Sequence, residues 1–135
     1  MGLFQCYHDL DGMDVIRAWY ESQSPEIQAA FIAVTQTLNA QPKNQWSEKL
    51  YKPLEKRSAS RCVGLTELLL DNKDPKVCAR VLAYCGPREG TITMLFGFDK
   101  TADRRYGEPC ATAQERKGEV ERDWTRAKPI WLIDD

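Results

Sequence analysis

Between Gly64 and Lys100 the chain sets three apolar runs against two short connectors, and this spacing restricts the fold more than any other feature. Leu65–Leu70, Val77–Cys85 and Thr91–Phe98 read as strands. The connectors, Asp71-Asn72-Lys73-Asp74-Pro75-Lys76 and Gly86-Pro87-Arg88-Glu89-Gly90, are built from turn residues. Links this short join antiparallel neighbours. Period-two alternation places Val77, Ala79, Val81 and Ala83 on one face of the second run, with Cys78, Arg80, Leu82 and Tyr84 on the other. In the third run it groups Ile92, Met94, Phe96 and Phe98.

The flanking segments supply helices. Residues 3–8 form a first strand before an Asp-Leu-Asp-Gly turn, and Val15, Ile16, Trp19 and Tyr20 then recur at helical spacing. Ser24-Pro25-Glu26 opens a second helix: the serine oxygen caps free N–H groups, proline suits the first turn, and the acid faces the positive dipole end. Its inward face is Ile27, Phe31, Val34 and Leu38. Trp46, Leu50 and Leu54 predict one or two further helical turns before Pro53 and a polar loop over 55–61. A last charged helix is expected over 111–124, with Ala113, Val120 and Trp124 inward. The expected class is α+β: a small antiparallel sheet in β-α-α-β-β-β-α order with helices packed on it, in one domain over 1–135. Residues 125–135 form an apolar tail that must fold back, pair along an edge or meet a partner.

Five scattered cysteines include no C-x-x-C pair, and a single histidine cannot complete a Cys/His zinc site at the usual spacings. The thiols are therefore expected to be reduced, no metal or cofactor is expected, and His8 is read as a packing or capping residue. No apolar run approaches the length of a membrane span and no signal-peptide pattern opens the chain, so no membrane partner and a cytoplasmic location are expected. A net charge of −1 weighs against nucleic-acid binding, but Lys52, Lys56, Arg57 and Arg61 make one local basic patch and Arg104, Arg105, Arg116 and Lys117 another.

Three segments in order carry a family resemblance: Gly64-Leu65-Thr66-Glu67-Leu68, Arg80-Val81-Leu82-Ala83-Tyr84, and the Gly90–Lys100 run that ends in Gly97-Phe98-Asp99-Lys100. Together they resemble the RelE/ParE toxin superfamily, and most closely its HigB-like, phage-derived branch. The resemblance implies a RelE-like fold and a toxin of a bacterial or phage toxin–antitoxin pair that cleaves mRNA at the ribosome without a metal. It also implies an antitoxin partner, often a helix-turn-helix protein. The chain departs from the pattern after Phe98, where Asp99-Lys100 replaces two lysines and residues 101–109 are rewritten. The alternative is therefore a non-catalytic RelE-fold protein acting by protein binding, either a gyrase-directed poison or a degraded homologue.

Cleavage through a 2′-hydroxyl needs a proton acceptor, a proton donor and cations at the phosphorane. Arg80, inside an otherwise apolar strand, matches the family's functional arginine; the same residue can instead snorkel from an edge or pair with Glu67. Glu67 is read as the salt-bridge partner that orients Arg80. Lys100 at a strand end is a candidate phosphate ligand, and Tyr106 a candidate acid, base or stacking residue. Arg104, Arg105, Arg61 and Lys52 are candidate RNA-backbone contacts. The apolar tail adds a possible route to homo-oligomers.

Overall fold

The computed structural model describes residues 3–54, 62–73, 76–100 and 106–132. Among them lies a six-stranded mixed sheet: β1 Phe4–Tyr7, β2 Tyr51–Pro53, β3 Thr66–Lys73, β4 Lys76–Cys85, β5 Ile92–Asp99 and β6 Ala127–Pro129. The order across it is β2-β3-β4-β5-β1-β6. Helices α1 (Val15–Glu21) and α2 (Pro25–Asn39) cover one face, and α3 (Gly107–Arg122) crosses the other. The class is α+β. The sheet is not purely antiparallel, because β1 pairs with β5 in parallel while the other pairs are antiparallel.

Helix α2 forms where its cap signal places it. Ser24 Oγ accepts from the Ile27 N–H at 3.3 Å, Pro25 occupies the first turn, and Ile27, Phe31, Val34 and Leu38 are buried against the sheet. In α1, Asp14 caps by accepting from the Arg17 N–H, and Ile16 is fully buried. The expected turns reduce to a 3₁₀ turn at Lys43–Gln45 and one turn over 48–50, closed by the Leu50 and Tyr51 N–H groups on the Ser47 carbonyl, and Tyr51–Pro53 forms β2. Tertiary contact overrides the four-residue spacing here: Trp46 stacks on Phe4 and meets Tyr51 edge-on, while Leu54 belongs to the opposite core. The polar loop over 55–61 lies outside the described residues.

The sequence-derived face of β5 is corrected by a bulge. Met94 pairs with Ala83 but Phe96 pairs with Leu82, so Leu95 is an extra residue and the alternation switches sides. Ile92 and Met94 pack towards α1 and α2, whereas Leu95, Phe96 and Phe98 pack beneath α3. The switch also turns Gly97 towards α1, where an added Cβ would stand 2.4 Å from the Trp19 ring. Strand β3 runs on through Asp71, which pairs with Cys78 instead of starting a connector.

Two further expectations change, those for the last helix and for the cysteines. Helix α3 starts at Gly107, since Pro109 is tolerated in a first turn, and ends at Arg122. Trp124 consequently leaves the helix face, lies in a 3₁₀ turn and is 51% exposed beneath Arg88. The tail pairs along an edge and folds back: β6 adds to β1, Ile130 is buried, and Trp131 stacks on Phe31 and meets Tyr20 edge-on. Its described apolar residues are thus engaged within the chain. Finally, Cys62 and Cys110 are joined as a disulfide, so reduced thiols are not the state of all five cysteines. The lead-in to β3 and the first turn of α3 bring the pair together, with both side chains fully buried.

Gly97→Ala is expected to lower stability by about 1–3 kcal/mol through overpacking against Trp19, read as a reduced urea midpoint with unchanged slope.

Candidate functional site

Glu67 lies on the α3 side of the sheet, and its side chain is fully buried. It stands opposite Lys52 of β2 and one diagonal step from Arg80 of β4. Around this carboxylate the structure gathers four sequence-derived candidates. The Tyr106 hydroxyl donates to Glu67 Oε1 at 2.6 Å, and Arg80 Nε lies 3.4 Å from the same oxygen. Lys52 Nζ is 4.0 Å from Oε2. Lys100 Nζ lies over the Tyr106 ring, 5.3 Å from its centre.

Each position has a local cause. Lys100 is set by an extension of the β4–β5 ladder, its N–H donating to the Cys78 carbonyl at 2.7 Å. Tyr106 stands just before α3 and meets Phe98 edge-on at 5.5 Å, a contact that the β5 bulge makes possible. Arg80 is clamped by Asp71, whose Oδ1 accepts from Nη1 at 2.7 Å, and Nη1 also donates to the Ala79 carbonyl at 2.9 Å. The resulting group holds three cations, Lys52, Arg80 and Lys100, against the carboxylates Glu67 and Asp71.

The electrostatics divide the roles. Burial disfavours the Arg80 charge, but the hydrogen bond and charge of Asp71 outweigh it and hold the guanidinium above its ordinary value. Burial pushes the Tyr106 hydroxyl well up, and the bond to Glu67 pushes it further, so Tyr106 is a neutral proton donor at physiological pH. Two atoms inside the cluster make no hydrogen bond: Glu67 Oε2 and Arg80 Nε. The 3.4 Å approach of Nε to Glu67 is therefore a Coulombic contact without hydrogen-bond alignment. The arrangement holds the Tyr106 hydroxyl on Glu67 and presents cations from Lys52 and Lys100.

Arg61, Arg104 and Arg105 lie outside the described residues. His8 is not in this cluster; its Nδ1 is 3.1 Å from the Cys6 carbonyl oxygen and its Nε2 is 3.9 Å from Asp14. Asp71 stands in a stretch of turn residues that masks its strand position in the sequence, although Glu67, Leu69 and Asp71 continue one period-two face. A second polar group was also missed: Tyr7 and Arg126 both donate to Glu119 Oε1, beneath Arg116 stacked on the Tyr7 ring. Burial and Glu119 together raise the Tyr7 hydroxyl. Among the described residues, no group of three or more His, Cys, Asp or Glu is arranged to hold a metal, and no helix is long and apolar enough to cross a membrane.

No protein-family model matches this sequence, and none of the curated proteins matches it.

Because the folded state holds the Tyr106 proton more tightly than the unfolded chain, the stability it contributes is present below the ordinary tyrosine value of 10.0 and is lost as pH rises through the raised folded value. Tyr106→Phe is expected to cost about 1–3 kcal/mol at neutral pH, by removing the hydroxyl donor from buried Glu67, and to make the alkaline loss shallower. Urea midpoints measured from pH 7 to 11 check both effects.

Proposed function

We propose that this chain is a RelE-like protein of the HigB-like branch, the toxin of a bacterial or phage toxin–antitoxin pair, and that it cleaves mRNA at the ribosome. The observation that carries this reading is the convergence of Arg80, Tyr106 and Lys52 on one buried carboxylate, with Lys100 over the Tyr106 ring. Those residues come from four separate parts of the chain and include every catalytic candidate that the resemblance implies. In this reading a ribose 2′-hydroxyl attacks the adjacent phosphate as its proton passes to solvent water, and Lys100 and Arg80 offset the charge of the phosphorane. Tyr106 gives its proton to the departing 5′-oxygen. Glu67 holds Tyr106 and Arg80 in place, and Lys52 contacts a flanking phosphate. Arg61, Arg104 and Arg105 are kept in this reading as candidate RNA-backbone contacts from the sequence alone. The partner in this reading is an antitoxin of the helix-turn-helix kind that covers Lys52 and Lys100, and the compartment is the cytoplasm.

One observation favours the non-catalytic reading, a RelE-fold protein acting by protein contact. Arg80 is held between Asp71 and Glu67, which neutralise the charge a phosphate would use. The two readings separate on induced expression combined with an RNA-cleavage assay on the purified chain. Arg80→Ala is expected to abolish growth arrest and lower cleavage about 10²–10³-fold, and Tyr106→Phe to lower cleavage about 10²-fold. Arrest and cleavage that both survive Arg80→Ala would sink the mechanism. A wild-type chain that causes no arrest would favour the binding protein.

A further inference from the structure

The Cys62–Cys110 bond lies one helical turn from the residue that closes the candidate site. Cys110 is in the first turn of α3, and its N–H donates to the Tyr106 carbonyl at 2.8 Å. Cys62 stands at the lead-in to β3, where its carbonyl accepts from the Leu65 N–H at 3.1 Å, two residues before Glu67. The disulfide therefore ties the backbone that carries Tyr106 to the backbone that carries Glu67, next to their 2.6 Å hydrogen bond. The helix is held at its far end by other means, through Val120 in the core and Arg126 on Glu119.

We propose that the Cys62–Cys110 pair is a redox switch on this site: as a disulfide it holds Tyr106 on Glu67, and as a dithiol it releases the start of α3 and loosens that contact. The inference rests on reading the Glu67 cluster as the functional site. Paired thiols in a reducing compartment are kept apart, and disulfides that do form there serve mainly in sensing or catalysis. A chain with this pair beside its proton donor would respond to a change in thiol poise. Reduction is by thiol–disulfide exchange with a dithiol. One thiolate of the reductant attacks a protein sulfur and forms a mixed disulfide, and the second displaces it. The protein gains two electrons and two protons as two thiols, while the reductant leaves as its own disulfide. Both protein sulfurs are buried, so exchange proceeds through local opening at Cys62 or at the first turn of α3.

The test compares the full chain oxidised with diamide and reduced with dithiothreitol. Peptide mapping is expected to find Cys62 joined to Cys110 in the first state and both alkylated in the second. Amide exchange at Cys110 is expected to rise about tenfold or more on reduction while β4 and β5 stay unchanged. RNA cleavage is expected to fall several-fold. Cys110→Ala should behave like the reduced chain and ignore dithiothreitol, and Cys85→Ser should keep the full response. The proposal is overturned if diamide leaves Cys62 and Cys110 unpaired, if exchange at Cys110 is the same in both states, or if Cys85→Ser abolishes the response. If neither state cleaves RNA, the nuclease reading fails, and amide exchange still decides the switch.

Discussion

A carboxylate with no access to solvent is the constraint around which the α3 side of the sheet is organised. Burying an ionised Glu67 costs several kcal/mol unless charges and donors surround it, and no single element provides enough of them. Lys52 comes from β2, Arg80 from β4 and Tyr106 from the approach to α3. Their meeting requires the β2–β3 and β3–β4 ladders to be in register, since a slip of one residue would turn Glu67 towards α1 and α2. Fold closure and site assembly are thus a single event, and a defect in either is a defect in both.

The opposite end of α3 repeats the solution with different residues. Glu119 accepts from Tyr7 and Arg126, and Arg126 also donates to the His8 carbonyl at 2.8 Å. Each end of the helix is therefore anchored by a carboxylate that accepts from a tyrosine and lies against an arginine. Between these anchors Cys110, Ala113 and Val120 lie flat on Leu82, Leu95 and Phe98. Small side chains in the middle let polar contacts at the ends fix the position of the helix.

Much of this was legible in the sequence where one short-range signal decides the outcome. Ser24-Pro25-Glu26 set the start of α2, turn-rich connectors separated β3, β4 and β5, and the diagonal of Glu67 and Arg80 followed from pairing those strands. Features that arise only between elements were not legible. The Leu95 bulge is a mismatch of two ladders, and nothing in the residues of β5 alone announces it. Trp46, Leu50 and Leu54 repeat like a helix, yet Tyr51–Pro53 pairs with β3 because Trp46 finds Phe4 and Tyr51. Cys62 and Cys110 are 48 residues apart, and their meeting depends on how α3 lies across the sheet.

The two edge strands, β2 and β6, are each three residues long and end in proline. Their inward bonds run through Leu50 and Leu54 on one side and through Arg126 and Ile130 on the other, so Pro53 and Pro129 both face outwards. The other outward N–H in each strand is already committed: Tyr51 donates to the Ser47 carbonyl and Ala127 to the Trp124 carbonyl. Along these two strands the sheet therefore offers an incoming β-strand acceptors but no donors. A protein partner would have to recognise this chain here by its side chains, and accidental growth of the sheet from one molecule to the next is blocked at both edge strands.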